Sequence, residues 1–364
     1  ECLRAAAEAF GESQRTFLQS IDLLRIATTV GTNSLIEGTG SRVGLVVAAG
    51  QERHLYDGDE AGAIFERFLD PALVRGLDAE PSAEQVLETA RELVAGGVRQ
   101  VVVSLPGVGA ARERERTVRA LNRQRYPAHY LRSVPLQLGT DVAPTGDDAV
   151  RTSTAVVNAY LHRDVAQLLY GAEQELRTEG LESPVLVVHA NAGVARIGKT
   201  TAINTYSSGP AAGLCGAQAL ARAYGDRIVV TADMGGTTVD LGAIIDRECE
   251  AETRPVLGGV RVALPMLRTE SVGCAGCSIV SVVDGKVTIG PESAGAVPGP
   301  AAFGLGGERA TLTDADVVSG LLAAGKEVGG RFTLDGERAA RALEADVARP
   351  LGVDVETAGG RVQE

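Results

Sequence analysis

Residues 227–245, RIVVTADMGGTTVDLGAII, constrain the fold more than any other stretch of the chain. The apolar residues 228–231, and again those from Val239 onward, read as two strands, with the Gly235-Gly236 pair in the turn between them. Two glycines between strands permit positive φ and let a ligand approach the backbone, because no Cβ stands in the way. Successive backbone N–H groups in such a turn can converge on an anion. Thr237 and Thr238 add hydroxyls, and Asp233 and Asp240 flank the turn with carboxylates. Carboxylates beside a phosphate repel it unless a cation sits between them, and Mg²⁺ held by one or two carboxylates plus phosphate oxygens is the usual arrangement. The stretch therefore reads as a phosphate loop in which Asp233 and Asp240 hold Mg²⁺ directly or through water. An ordinary hairpin, whose Thr and Asp side chains only cap the turn, is the alternative.

Bulk properties narrow the function classes. A net charge of −12 argues against a nucleic-acid or anionic-membrane surface, which needs a clustered positive field. No apolar run reaches the ~20 residues of a membrane span, and no signal-peptide pattern opens the chain. Five scattered cysteines make no disulfide framework, so a reducing cytoplasm is the expected compartment. The length suits about two domains. The chain begins with Glu1 and ends in VETAGGRVQE without a clear stopping element, which reads as a piece of something longer.

Along the chain, residues 1–10 have helical spacing and Gly11 ends them. In residues 23–50 an extended LLRI precedes ATTVGTN, a helix-like SLIEG and a buried-strand pattern, VGLVVAAG. Thr28, Thr29, Thr32 and Asn33 either line a site here or cap the helix behind them. Residues 83–93 repeat apolar groups at helical spacing and end at Gly96-Gly97, Val101–Val103 form a short strand, and residues 111–124 make a second helix. Strand, helix and strand at this spacing predict a parallel sheet. Residues 140–148, TDVAPTGDD, mark the expected domain boundary. A long helix follows over about 152–178, with Val156, Leu161, Val165, Leu168 and Leu169 on one face.

Residues 185–189 are a buried strand, and residues 193–200, GVARIGKT, match the G-x-x-x-x-G-K-[ST] phosphate loop letter for letter. A working loop of that kind opens a sustained helix directly behind its strand. Here residues 190–192 intervene, and Gly209-Pro210 cuts the following segment short, so Lys199 is a second-ranked phosphate ligand. A helix over residues 209–224 has Pro210 in its first turn, and its free N–H groups near Gly209 offer a second phosphate contact. Cys274 and Cys277 form a single C-x-x-C, which reads as two small residues in a glycine turn, with a metal or redox role as the alternative. Residues 311–325 read as a helix capped by Thr313 or Asp314 and stopped at Gly325, and a final helix spans about 336–348.

The series ATTVGTN, RTSTAVVNAYL, SSGPAAG, DMGGTTVD and GPESAGAVPGPAAFG resembles the A-type subunits of the hydantoinase/oxoprolinase family. The resemblance covers most of the chain and implies the α/β fold of the actin–hexokinase–Hsp70 ATPase superfamily. That means two actin-like, ribonuclease-H-like domains, each a mixed sheet flanked by helices, incomplete at both ends. The expected division is 1–145 for an N-terminal-like domain and 146–364 for the domain with the second phosphate loop. It implies ATP and Mg²⁺ as cofactors, with Asp233 and Asp240 as catalytic, metal-holding carboxylates. Gly235, Gly236, Thr237 and Thr238 would cradle phosphate with help from Gly209, and Thr28, Thr29 and Asn33 would lie near the reacting group. It also implies a B-type partner subunit and a small cyclic amide or ketone as substrate. The function implied is ATP-dependent opening of a cyclic amide through a phosphorylated intermediate. A ketone carboxylase subunit, a non-catalytic subunit and a phosphate-loop NTPase acting through Lys199 are the alternatives.

The chain departs from the family pattern in places. The D-x-G-G-T-x-T-D loop of the family precedes Glu1 or is missing, and the adenosine segment falls beyond Glu364. Where the family reads H-G-T-T this chain has Ile26-Ala27-Thr28-Thr29. Residues 268–278, RTESVGCAGCS, stand where D-x-H-T-V-G-A-G-G-G-S is common. Two histidines and an aspartate of the family's site are therefore replaced.

Overall fold

A computed structural model describes residues 2–56, 61–98, 100–107, 109–127, 129, 135–329 and 332–364. They divide into two compact units, one of residues 1–216 and 249–268, the other of residues 217–248 and 269–364. Each is described by itself.

The first unit opens with a helix, Cys2–Ala9, that ends before Gly11 at φ 70°. The chain continues through β1 (Leu24–Ile26), α1 (Val30–Glu37), β2 (Val43–Ala48), β3 (Val74–Leu77), α2 (Ala83–Ala95), β4 (Gln100–Val103), α3 (Ala111–Arg125) and β5 (Leu136–Leu138). After these come α4 (Asp148–Glu179), β6 (Val185–Val188) and β7 (Val194–Arg196). Strands 2 to 5 form a parallel sheet in the order β3-β2-β4-β5, as the strand–helix–strand spacing predicts. Parallel strands carry helices on both faces, which explains the unbroken apolar run VGLVVA in β2. Its side chains alternate between two cores. Val43, Leu45 and Val47 join α4 residues such as Val156 and Leu161, while Val46 joins Val86, Leu93 and Val118 of α2 and α3.

Residues 140–148, where the sequence suggests a boundary, lie inside this unit. The reason is pairing across them: β1 runs parallel to β6 in the register Leu24↔Val185, and α4 packs on the β2–β5 sheet. Helix α4 begins at Asp147, which caps Val150 N–H at 3.1 Å, and stops at Gly180 with φ 116°. Residues 150–161 are buried all round, and only the later part is amphipathic. Leu168, expected on the apolar face, is 40% exposed.

A polar knot closes the C-terminal ends of β2 and β4. Tyr56 Oη accepts from Ala48 N–H at 2.8 Å and donates to Ser104 O at 2.9 Å. Burial pushes the Tyr56 phenol up to about 12. The fully buried Arg151 donates to Leu105 O at 2.5 Å and Asp148 Oδ1 at 2.6 Å, and its Nε lies 3.8 Å from Glu115. Glu115 accepts from Leu105 N–H at 3.1 Å and from Thr140 N–H at 2.9 Å.

The second unit receives the end of α5 (Ser208–Tyr224) and then forms β8 (Ile228–Met234), β9 (Val239–Ile245), β10 (Thr269–Val272), β11 (Ser278–Val283) and β12 (Lys286–Ser293). Strands β8, β9 and β10 are antiparallel neighbours, and β11 and β12 make a hairpin. Helices α6 (Leu312–Val318), α7 (Gly336–Leu343) and α8 (Val355–Gln363) build the core with Val280. The cap of α6 is Thr311, not Thr313 or Asp314. Its hydroxyl and the Asp314 carboxylate form a reciprocal capping box, and the helix stops at Ser319, well before Gly325. Past α7 the expected helix continues as a π turn, Glu344–Ala348, and VETAGGRVQE, to which the sequence reading assigns no element, holds α8.

One face of the β8–β9 pair is apolar and open: Ile228, Val230, Met234, Leu241 and Ile245 are all exposed. Replacing Val230 and Ile245 with Thr should leave the unfolding free energy within ~0.5 kcal/mol of wild type, because both side chains are mostly exposed. It should also reduce self-association in sedimentation experiments.

Burial raises the Glu115 carboxyl above its ordinary value of 4.5, against the donors of Thr140 and Leu105 and the charge of Arg151. A raised folded-state value means that Glu115's contribution to stability is complete below the unfolded value and declines as pH rises through the folded one. Glu115→Gln cannot ionise. The stability of wild type relative to this variant should therefore fall as pH rises, in urea titrations from about pH 4 to about pH 8.

Candidate functional site

The hairpin's register decides where its functional groups point. Asp233 pairs with Asp240 across β8 and β9, and Ser271 of β10 pairs with Asp240 on the other side. Side chains alternate across a sheet, so directly paired residues share a face. The two carboxylates and the Ser271 hydroxyl therefore stand in one row, opposite the open apolar face. Ser271 Oγ donates to Asp240 Oδ1 in a short hydrogen bond. Among the described residues no three or more His, Cys, Asp or Glu side chains gather as a metal cluster. Two adjacent carboxylates fit a cation that takes its remaining ligands from water and phosphate, as Mg²⁺ does.

The turn itself spans residues 235–238 and is closed by the Met234↔Val239 pair and by Gly235 N–H donating to Thr238 O at 2.9 Å. Among the described residues the N–H groups of Gly236, Thr237 and Thr238 have no protein acceptor. Three free donors in one exposed turn are what an anion requires. Thr237 Oγ1 lies 3.3 Å from Ser293 Oγ.

Positive φ is not the reason for the glycines: neither Gly235 nor Gly236 adopts it. The turn is instead backed by the segment carrying the two cysteines. Cys277 N–H donates to Gly236 O at 2.7 Å, and Gly276 N–H donates to Gly235 O at 3.3 Å. A Cβ on Gly236 would meet Cys277 Sγ at 3.1 Å. Cys277 is buried, and its burial, with the nearby Asp314 charge, pushes the thiol up, away from the reactive thiolate. Both cysteines are free thiols. Thr313 Oγ1 donates to Gly276 O at 2.7 Å, so α6 anchors this backing segment. The sequence reading does not place Ser271 or Gly276 at the site; it gives Cys277 as a small residue in a glycine turn and Thr313 as a cap candidate, and both back the turn. Only Ser271 had a legible signal, as the residue that sheet pairing would bring beside Asp240.

Thr28, Thr29, Asn33 and Gly209 lie in the first unit, as a separate group. Thr28 N–H donates to Ser208 Oγ and Ser208 Oγ donates back to Thr28 O, both at 3.1 Å. This pair sets the starts of α1 and α5 side by side. Thr28 Oγ1 accepts from Val30 N–H at 3.1 Å, which is a capping role. Thr32 Oγ1 accepts from Ser207 N–H at 3.1 Å, and Ser207 has φ 51°, a strained position for a side-chain-bearing residue. Thr29 and Asn33 are exposed, and Gly209 sits in the first turn of α5, where an added Cβ would meet open space.

Residues 193–200 are not a phosphate loop. They form β7, antiparallel to β6 in the register Leu186↔Arg196, and then a 3₁₀ turn, Ile197–Lys199. A phosphate loop needs a helix N-terminus behind it, and here the next element is another short 3₁₀ turn, Ala202–Thr205. The letters match; the geometry does not.

The family model described as hydantoinase/oxoprolinase matches residues 151–363, and that of the hydantoinase/oxoprolinase N-terminal region matches residues 1–125. The chain belongs to the hydantoinase/oxoprolinase family. The acetophenone carboxylase gamma subunit of Aromatoleum aromaticum is 32% identical over 97% of this chain and 52% of its own length. The caprolactamase subunit alpha of Pseudomonas jessenii is 31% identical over 98% of this chain and 54% of its own. The chain thus spans about half the length of the curated relatives it matches. The crystal structure of the ATP-dependent caprolactamase from Pseudomonas jessenii superimposes with a TM-score of 0.72 at 28% identity, covering 99% of this chain and 55% of that one. A nucleotide-free acetone carboxylase structure gives a TM-score of 0.84 over 98% of this chain and 54% of that one, with 23% identity, a likeness of fold. The expected α/β architecture of mixed sheets flanked by helices is the one this hydantoinase/oxoprolinase chain shares with them.

The contact between Gly236 and Cys277 is open to a test by paired substitution. Gly236→Ala should destabilise the protein by ~1–2 kcal/mol through overpacking, and adding Cys277→Ala should recover most of that loss. Thermal or urea unfolding of the two singles and the double measures the coupling.

Proposed function

We propose that this chain is the ATP-dependent A-type component of a hydantoinase/5-oxoprolinase-like enzyme that opens a cyclic amide through a phosphorylated intermediate. The observation that carries the reading is the Asp233–Asp240 row beside a turn with three free N–H donors. In this reading Gly235, Gly236, Thr237 and Thr238 hold phosphate, and Asp233 and Asp240 hold Mg²⁺ directly or through water. Gly209 supplies a further N–H, and Thr28, Thr29 and Asn33 lie toward the reacting group. The N-terminal-like region would be 1–145 and the phosphate-loop region 146–364.

The chemistry suits these parts. An amide is a poor electrophile because its nitrogen donates into the carbonyl; a phosphoryl group on the oxygen turns that oxygen into a leaving group. Phosphoryl transfer asks the protein mainly for positioning and charge stabilisation rather than for a nucleophile of its own. The hairpin offers donors and carboxylates on a rigid pair of strands, with the row Asp233, Asp240 and Ser271 oriented by the sheet.

A ketone carboxylase subunit is the second reading, and the acetophenone carboxylase relative favours it. Glu270-Ser271, in the segment where the family's histidine is common, supports instead a different substrate or a non-catalytic subunit. The subunit naming of both relatives supports a B-type partner for this chain. No helix among the described residues is long and apolar enough to cross a membrane.

Calorimetry of Mg-ATP binding to the complete polypeptide tests the site. Wild type and Lys199→Ala should bind alike, and Asp233→Ala should lose at least about tenfold in affinity, ~1.4 kcal/mol. Binding lost in Lys199→Ala but kept in Asp233→Ala would overturn the assignment, and no binding by wild type would indicate a non-catalytic subunit. Product analysis with hydantoins, 5-oxoproline, and ketones plus bicarbonate then separates ring opening from carboxylation.

A further inference from the structure

Residues 193–200 lack the geometry of a phosphate loop, yet they wall a cavity. A concavity of about 490 Å³ in the first unit is lined by Glu173, Arg177, Glu182, Pro184, Val185 and residues 196–199. Its floor is apolar: Val185 and Ile197 are buried. Its rim carries three cations, Arg177, Arg196 and Lys199, against two carboxylates. Glu173 lies 3.7 Å from Arg177, one turn away on α4, and Glu182 accepts from Gln19 at 3.5 Å. Arg196 and Lys199 have no carboxylate partner among the described residues.

The wall is rigid. Arg196 is fixed by strand pairing with Leu186, and the turn after it is closed by Thr200 N–H donating to Ile197 O at 3.0 Å. Thr200 Oγ1 donates to Arg196 O at 3.1 Å and lies 3.1 Å from His189 Nε2. Arg177 is tied to the end of its helix by donation to Leu181 O at 2.9 Å. Unpaired cations over a low-dielectric floor focus positive potential even on an acidic protein. A planar guanidinium and an ammonium lining one cavity suit an oxyanion with two or more oxygens.

We propose that this pocket binds a small organic oxyanion, a phosphate- or carboxylate-bearing molecule with a short apolar body, independently of the Asp233 hairpin. The anionic group sits between Arg196 and Lys199, and the apolar part lies on Val185 and Ile197. The binding groups are side chains of a strand and a turn, so the pocket needs no helix N-terminus and no metal.

Lysine footprinting provides the test, because the 364 residues contain only three lysines, Lys199, Lys286 and Lys326. The complete polypeptide is acetylated in EDTA with inorganic phosphate, sodium acetate or sodium citrate, and with sodium chloride at matched ionic strength. Peptide mass spectrometry then reads each lysine separately. Phosphate or one of the carboxylates should slow Lys199 acetylation about tenfold near saturation, where about a tenth of the sites stay free. Lys286 and Lys326 should be unaffected. Which anion protects tells phosphate from carboxylate recognition. Arg196→Gln, at an exposed position that should leave the melting temperature unchanged, should remove the protection, and Asp233→Ala should keep it whether or not Mg-ATP binding survives. Protection no greater than with chloride, or protection that persists in Arg196→Gln, would overturn the proposal.

Discussion

Arg151 is the interaction on which the first unit depends. A guanidinium removed from water is tolerated only when charge and hydrogen bonds surround it, and here they tie four parts of the chain together. Arg151 belongs to α4, Leu105 follows β4, Asp148 opens α4, and Glu115 belongs to α3 and grips the backbone at Thr140. The parallel sheet could form without this knot, since its apolar strands bury on both sides. What the knot adds is position: it fixes where the strand ends stop and where the long helix begins. Removing one partner from such a group leaves a buried charge uncompensated, which costs about 3–5 kcal/mol in comparable cases.

The hairpin of the second unit is held by different means. Its strands pair along their whole length, but few of its side chains are buried, and its turn is supported through backbone bonds from residues 276 and 277. Those bonds leave the outward N–H groups free. A turn held through the carbonyls of Gly235 and Gly236, with the N–H groups of Gly236, Thr237 and Thr238 left without a protein acceptor among the described residues, would need little reorganisation to receive an anion.

Much of this was legible in the sequence. The strand–helix–strand pattern over residues 43–125, the long helix before Val185 and the hairpin around Gly235-Gly236 all follow from apolar periodicity and glycine placement. What escaped depends on tertiary contacts. Gly236 looked like a residue needed for positive φ, when its smallness is needed by Cys277 Sγ, more than thirty residues away in sequence. The Thr28–Ser208 pair joins residues 180 apart, and no local pattern announces it. The cap of α6 was misplaced by two or three residues because Thr311, Thr313 and Asp314 are all competent caps, and only the fold selects among them. The GVARIGKT match failed for the opposite reason: its letters were sufficient and its neighbours were not.

The two faces of the hairpin follow from one number, the twofold period of a strand. Asp233 and Asp240 share a face because an even count of residues lies between them and a four-residue turn closes the pair. Sliding one strand by a single residue would drive a carboxylate onto the apolar face and an apolar side chain into the row beside Ser271. The turn can therefore change its side chains more freely than its length. Across related chains the spacing from Asp233 to Asp240 should be the invariant, and a one-residue insertion there should be rarer than any substitution.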